Sequence, residues 1–229
     1  MYRIVCLALS ILLSYASPAQ EKPQLNSTEF EQAIQKENVQ VLDVRTGDEY
    51  KSGHIKNSLQ ADWINKQQFN DRVQHLDKTK PLYVYCASGG RSHAAAEYFR
   101  SNGYTAVYEL SGGLTKWKAD QKPVEGMPEG KPITMEEYAG KTSGAATILV
   151  DFGAEWCPPC KKMKPVLQQL QAEAGSSFKL VKIDAGIQTE LMKQVKVEDV
   201  PTFIIYKNGK ETWRHHGIVS LEELKKQIQ

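Results

Sequence analysis

Cysteine is scarce in this chain. Four among 229 residues are too few for a scaffold stapled by disulfides, so the fold must rest on a buried core. A dominant charge is also lacking. Lys and Arg number 29 against 27 Asp and Glu, a formal net charge of +2, which excludes the strongly basic balance of a nucleic-acid or membrane-surface binder. No internal repeat and no low-complexity tract is visible. The early apolar run, Ile4 to Leu13, is too short to cross a bilayer. What remains, 41% hydrophobic and 24% charged residues, is the make-up of an ordinary globular protein.

Arg3, the run from Ile4 to Leu13, and then Ser17 and Ala19 have the layout of a secretory signal peptide over 1–19, cleaved near Ala19. An uncleaved anchor is the other reading of the same layout. Export to the periplasm or another extracytoplasmic space is expected, with no membrane span in the mature chain. Cys6 leaves with the leader, and Cys86, Cys157 and Cys160 remain. An odd count outside the cytoplasm leaves one thiol without a fixed partner.

The stretch "QKPVEGMPEGKP" over 121–132 holds three prolines and two glycines without apolar periodicity and reads as a linker. The expected division is a first domain over 20–123, a linker over 124–130 and a second domain over 131–229. In the first, Thr28 with Glu31 suggests a capping box. Apolar strands are expected over 39–44, 81–86 and 106–110, with a helix after 90 carrying Ala94, Ala95, Tyr98 and Phe99 on one face. In the second, strands are expected over 146–154 and 178–184, and a helix interrupted by Pro165 follows Cys160. Asn208-Gly209 marks a hairpin, and Ser220 with Glu223 caps a last helix. Alternating helices and strands predict an α/β fold with a mainly parallel sheet in the first domain.

Cys86 ends an apolar strand and is followed by "ASGGRS". A loop of small residues can turn backbone N–H groups toward the sulfur, and the next helix adds its positive end, so the thiol is placed to ionise. Gly89 and Gly90 permit tight curvature, Ser92 closes the loop, and Arg91 can hold an anionic substrate. Read alone, Cys86 fits better as a small core residue before an ordinary turn. The wider pattern is more specific: Asp43-Val44-Arg45, Glu49-Tyr50, Gly53-His54-Ile55, Cys86-x-x-Gly89-x-Arg91-Ser92, and Gly112-Gly113 with Trp117. Together these motifs resemble the rhodanese family over roughly 25–123. The resemblance implies a parallel sheet, a persulfide carried on Cys86, and Arg91 near the donor anion. It gives His54 a structural place beside Asp43 and Arg45. The short loop from Cys86 to Arg91 argues against phosphate-ester chemistry.

"VDFGAEWCPPCKKMKP" over 150–165 places two cysteines two residues apart at a helix start. The helix end favours the Cys157 thiolate, and Cys160 can resolve a mixed disulfide. Half a zinc site is the competing reading, but a second ligand pair is wanting: His215 and His216 are adjacent in an expected strand. No metal and no cofactor is expected. The stretch over 131–229 resembles thioredoxin. That resemblance implies a mixed sheet, Asp151 as the buried proton acceptor with Lys182 beside it, and Trp156, Val200 and Pro201 as the substrate groove. Thr202 follows that segment, Gly217 closes the groove and Pro165 kinks the helix. Pro158 and Gly153 depart from the family pattern, which usually has a glycine and an aromatic there. Trp63, Phe69 and Trp213 are expected to pack rather than bind.

Three functions compete. In the first, Cys86 gathers sulfur from a donor such as thiosulfate, and Cys157/Cys160 exchanges disulfides or persulfides with protein thiols, supplied by an electron donor that remains to be found. In the second, the chain is a disulfide reductase whose first domain only binds partners. The third is a chaperone-like binder with vestigial chemistry. The retained Cys86 and Arg91 favour the first.

Overall fold

The computed structural model of the chain describes residues 23–126 and 130–229; the leader expected over 1–19 lies outside them. The first domain holds strands β1 (Gln24–Leu25), β2 (Gln40–Asp43), β3 (Leu59–Gln60), β4 (Leu82–Tyr85) and β5 (Val107–Leu110). Its helices are α1 (Ser27–Ile34), α2 (Gly47–Lys51), α3 (Lys66–Val73), α4 (Gly90–Ser101) and α5 (Gly113–Ala119). The strands join in the order β1-β5-β4-β2-β3, every pair parallel. A parallel strand is covered on both faces and so reads as a continuous apolar run. In β4, Leu82 and Val84 enter one core with Leu42 and Phe99. Tyr83 and Tyr85 enter the opposite core with Phe30 and Trp117.

The second domain runs α6 (Met135–Lys141), β6 (Thr147–Gly153), α7 (Pro158–Ala174), β7 (Lys179–Asp184), α8 (Thr189–Gln194), β8 (Thr202–Lys207), β9 (Lys210–His216) and α9 (Leu221–Ile228). The order is β7-β6-β8-β9, with β6 parallel to β7 and antiparallel to β8. This is the mixed sheet the resemblance implies. Asn208 and Gly209 both take positive φ, as a two-residue hairpin turn requires.

Some local expectations shift. The first capping box is two residues earlier than Thr28/Glu31: Asn26 Oδ1 accepts from the Thr28 and Glu29 N–H groups, and the Glu29 carboxylate accepts from Asn26 N at 2.9 Å. Asparagine is among the best N-cap residues, and Phe30 is then fully buried. Helix α7 runs unbroken through Pro165 rather than being interrupted there. On α4 the buried face is Ser92, Ala95, Ala96 and Phe99, leaving Ala94 exposed. The start of the linker is pinned to the first domain. His54 N donates to Glu125 O at 2.7 Å, Glu125 N to His54 O at 2.8 Å, and Trp117 Nε1 to Pro123 O at 2.8 Å. No helix among the described residues is long and apolar enough to cross a membrane.

Candidate functional site

Strand β4 delivers Cys86 to the C-terminal edge of the first sheet. Its Sγ accepts hydrogen bonds from Gly89 N at 3.2 Å and Ser92 Oγ at 3.4 Å. Burial pushes the thiol up, but the Ser92 hydroxyl and the backbone N–H groups of Ser92, Gly89 and Ser88 outweigh it, and the net direction is down. Gly89 turns the loop with φ of 110°, a left-handed backbone that costs glycine little. Gly90 needs no such freedom: it is the first residue of α4. The loop is held from outside by α5. Leu114 N donates to Cys86 O at 2.8 Å and Thr115 N to Ala87 O at 2.9 Å. Gly113 allows this approach, since a Cβ there would stand 2.5 Å from Cys86 O.

Arg91 is engaged. Its Nη1 and Nη2 donate to the two Glu49 oxygens at 2.7 and 2.6 Å. Those hydrogen bonds, ahead of other causes, hold the Glu49 carboxyl down at about 2. Protonation therefore does not free Arg91 near neutral pH. Asp43 and Arg45 form a buried pair at 2.6 Å, and Arg45 also donates to Gly53 O at 2.8 Å. His54 stacks on Tyr50 with centroids 3.8 Å apart, and burial lowers its pKa, in keeping with a structural place.

In the second domain Cys157 and Cys160 are joined as a disulfide. Cys157 is the N-cap of α7, its Sγ taking the Cys160 N–H at 3.2 Å. That Sγ lies 3.5 Å from the Val200 carbonyl oxygen, and the Val200–Pro201 peptide is cis. Burial raises Asp151 to about 6, against the lowering pull of Lys182. Asp151, Gly153, Cys160, Lys164 and Lys182 line a cavity of about 220 Å³, and a Cβ at Gly153 would stand 3.3 Å from Asp151 Oδ1. Of the aromatics expected to pack, Phe69 is fully buried against Trp63, centroids 4.9 Å apart, and Trp213 lies against the second core.

The two centres share a boundary. Tyr85, Asp43 and Gln60 are in register across β4, β2 and β3, a row two strand spacings or about 10 Å wide. Cys86 adjoins one end. At the other, Gln60 N donates to Trp156 O at 2.9 Å, and Trp156 adjoins Cys157. Arg72 of α3 lies 4.9 Å above the Trp156 ring and pairs with Asp199 at 2.8 Å. Its Nη1 also bonds the Gln60 side chain. Asp199 Oδ1 accepts the Val200 N–H at 2.8 Å as well. The sequence reading assigned no role to Arg72, Gln60, Asp199 or the Glu49 carboxylate. One signal was present for Arg72: it lies three residues from Phe69 and beside Val73, so a charge interrupts the apolar stripe of α3.

Comparison with known proteins divides the chain in the same way. A family model described as a rhodanese-like domain matches residues 26–120, and one described as thioredoxin matches 129–229. The chloroplastic thioredoxin Y of rice is 42% identical over 82 residues, 36% of this chain and 49% of that protein, so the chain spans about half its length. A thioredoxin of Chlamydia trachomatis is 35% identical over 42% of this chain and 92% of its own length. The thiosulfate sulfurtransferase GlpE of Coxiella burnetii is 33% identical over 42% of this chain and 87% of its own length.

Proposed function

Because this chain belongs to both the rhodanese-like and the thioredoxin families, we propose that it is a thiol-based sulfurtransferase and disulfide oxidoreductase acting through Cys86 and the Cys157/Cys160 pair. The observation that carries the first activity is the Cys86 sulfur, held by the Gly89 N–H and the Ser92 hydroxyl. With a donor of the thiosulfate type, the Cys86 thiolate attacks the outer sulfur. The new S–S bond makes a persulfide, and sulfite leaves with the electron pair of the broken bond. The donor's negative charge competes with Glu49 for Arg91, and Gly89, Gly90 and Ser92 line its approach.

In the second domain the reduced Cys157 thiolate attacks a disulfide of a protein or small-molecule substrate. Cys160 then displaces the product and closes the disulfide, with Asp151 taking the Cys160 proton. Trp156, Val200 and Pro201 border the approach to Cys157. An external electron donor reopens the pair. We further propose that the two centres act in series. Cys157 attacks the outer sulfur of the Cys86 persulfide, freeing the Cys86 thiolate. Cys160 then closes the disulfide and expels hydrosulfide, so the sulfane sulfur is reduced as the dithiol is oxidised. The tethering of both centres in one chain, which raises their effective concentration, supports this order.

The test is mass analysis of the full chain after incubation with thiosulfate. One added sulfur on Cys86, absent in Cys86→Ser, is expected. A chain that takes up no sulfur while still reducing disulfides would leave the first domain a partner-binding module. Export is proposed from the layout of residues 1–19. N-terminal sequencing from the native host should find a start near Gln20, and a retained Met1 would refute it.

A further inference from the structure

The contact between the domains has an unusual composition. Arg72 is 3% exposed, and its partners come from both sides: the Gln60 oxygens of its own domain, and Asp199 and the Trp156 ring of the other. A buried guanidinium is stable only where its charge is matched, and removing its partner leaves the charge stranded. The contact between the domains thus includes a buried charged pair, beside the Gln60 N to Trp156 O bond. That pair sits at the entrance to Cys157. Trp156 precedes this cysteine, and Asp199 holds the N–H of Val200, whose carbonyl lies 3.5 Å from Cys157 Sγ. Cys157 itself is fully buried. Tyr50 also faces Trp156, ring centroids 6.2 Å apart.

A way in remains. Tyr50, Gln60, Arg72, Trp156, Asp199 and Val200 line part of a cleft of about 610 Å³ between the domains. That is the capacity of a small-molecule site. Gln60 and Arg72 stand on its wall, on the first-domain side of Trp156.

We infer that Arg72 sets the substrate class of Cys157: latched to Asp199, it keeps the first domain over the approach past Trp156 and Val200. Low-molecular-weight disulfides and persulfides then enter by the cleft, and protein disulfides wait for the latch to open. The inference rests on Cys157 and Cys160 being a working dithiol, as proposed above. Arg72 touches neither sulfur and acts through the placement of its domain.

The experiment uses the reduced full chain and two pairs of probes. Turnover is compared on hydroxyethyl disulfide and on insulin. Access is compared by labelling Cys157 with iodoacetamide and with polyethylene-glycol maleimide, read by peptide mapping. Asp199→Asn keeps a hydrogen-bonding side chain and alters the second domain only, so it serves if Arg72→Ala does not fold. If the open state of the parent is populated at up to about 10%, freeing it raises the insulin and bulky-label rates about tenfold or more. The small-probe rates should change far less, so that the ratio of bulky to small rates rises. Arg72→Lys, which keeps the charge but loses the planar fork, should fall between. Equal ratios of bulky to small labelling in parent and variants would overturn the inference. A parent inert toward both disulfides would instead remove the redox reading, and the labelling ratio would still decide the latch.

Discussion

Asp151 is the residue whose chemistry is most exposed to pH. Burial lifts its carboxyl from its ordinary 3.8 to about 6, a difference of about 2–3 kcal/mol in favour of the protonated form. The folded state therefore holds this proton more tightly than the unfolded chain. The associated stability is present in full below about pH 4 and is lost as pH rises through about 6. Asp151→Asn should be more stable than the parent at pH 7 by about 2–3 kcal/mol and equal to it near pH 3, measured by denaturant unfolding at both values. The same variant should resolve mixed disulfides more slowly above pH 6, where the parent gains its base. Ser92 offers a second residue-scale test. Ser92→Ala removes the hydroxyl that donates to Cys86 Sγ, so the pH profile of Cys86 alkylation should move upward; an unmoved profile would deny that bond its role.

At the scale of elements, the decisive contact is the seating of α5 on the Cys86 loop. Gly113 has φ of 59° and no room for a Cβ against Cys86 O and the Ala87 carbonyl. Gly113→Ala should cost about 1–3 kcal/mol in stability for the left-handed backbone alone, and more for the displaced carbonyls. Sulfur uptake at Cys86 should fall with it, while disulfide reduction at Cys157 is retained; equal loss of both would place the damage elsewhere. Much of this layer was legible in the sequence. Short apolar-rich stretches marked β2, β4, β5, β6 and β7, and Asn208-Gly209 marked the hairpin. The short β1 and β3 carried too few residues for a pattern, and α2, α3, α5, α6 and α8 were missed. Helix α3 reads as polar because Phe69 and Val73 are its apolar residues, and the buried Arg72 disguises the face it shares with them. Glu49 was visible as a motif letter, but its bond to Arg91 joins residues 42 positions apart, which no local pattern shows.

For the whole molecule, the proposed series makes sulfur transfer a matter within one chain. A persulfide loaded on Cys86 should release sulfide when Cys157 and Cys160 are reduced, and the release should follow first-order kinetics independent of protein concentration. In Cys157→Ser the loaded sulfur should remain on Cys86, checked by trapping free sulfide over time. Release that doubles in rate constant as the protein is doubled would mean that separate molecules meet to do it. The sequence showed both cysteine centres but not their shared boundary, because Gln60, Arg72 and Asp199 come together only when two sheets are set edge to groove. One consequence of that boundary is spectroscopic. Trp156 Nε1 is buried without an acceptor among the described residues, beneath a guanidinium. Its indole proton should give a resonance apart from those of hydrogen-bonded indoles, and its emission should differ from that of a ring in water. The chain thus carries a native gauge at the joint between its domains, and the proposed opening of that joint can be followed without attaching a label.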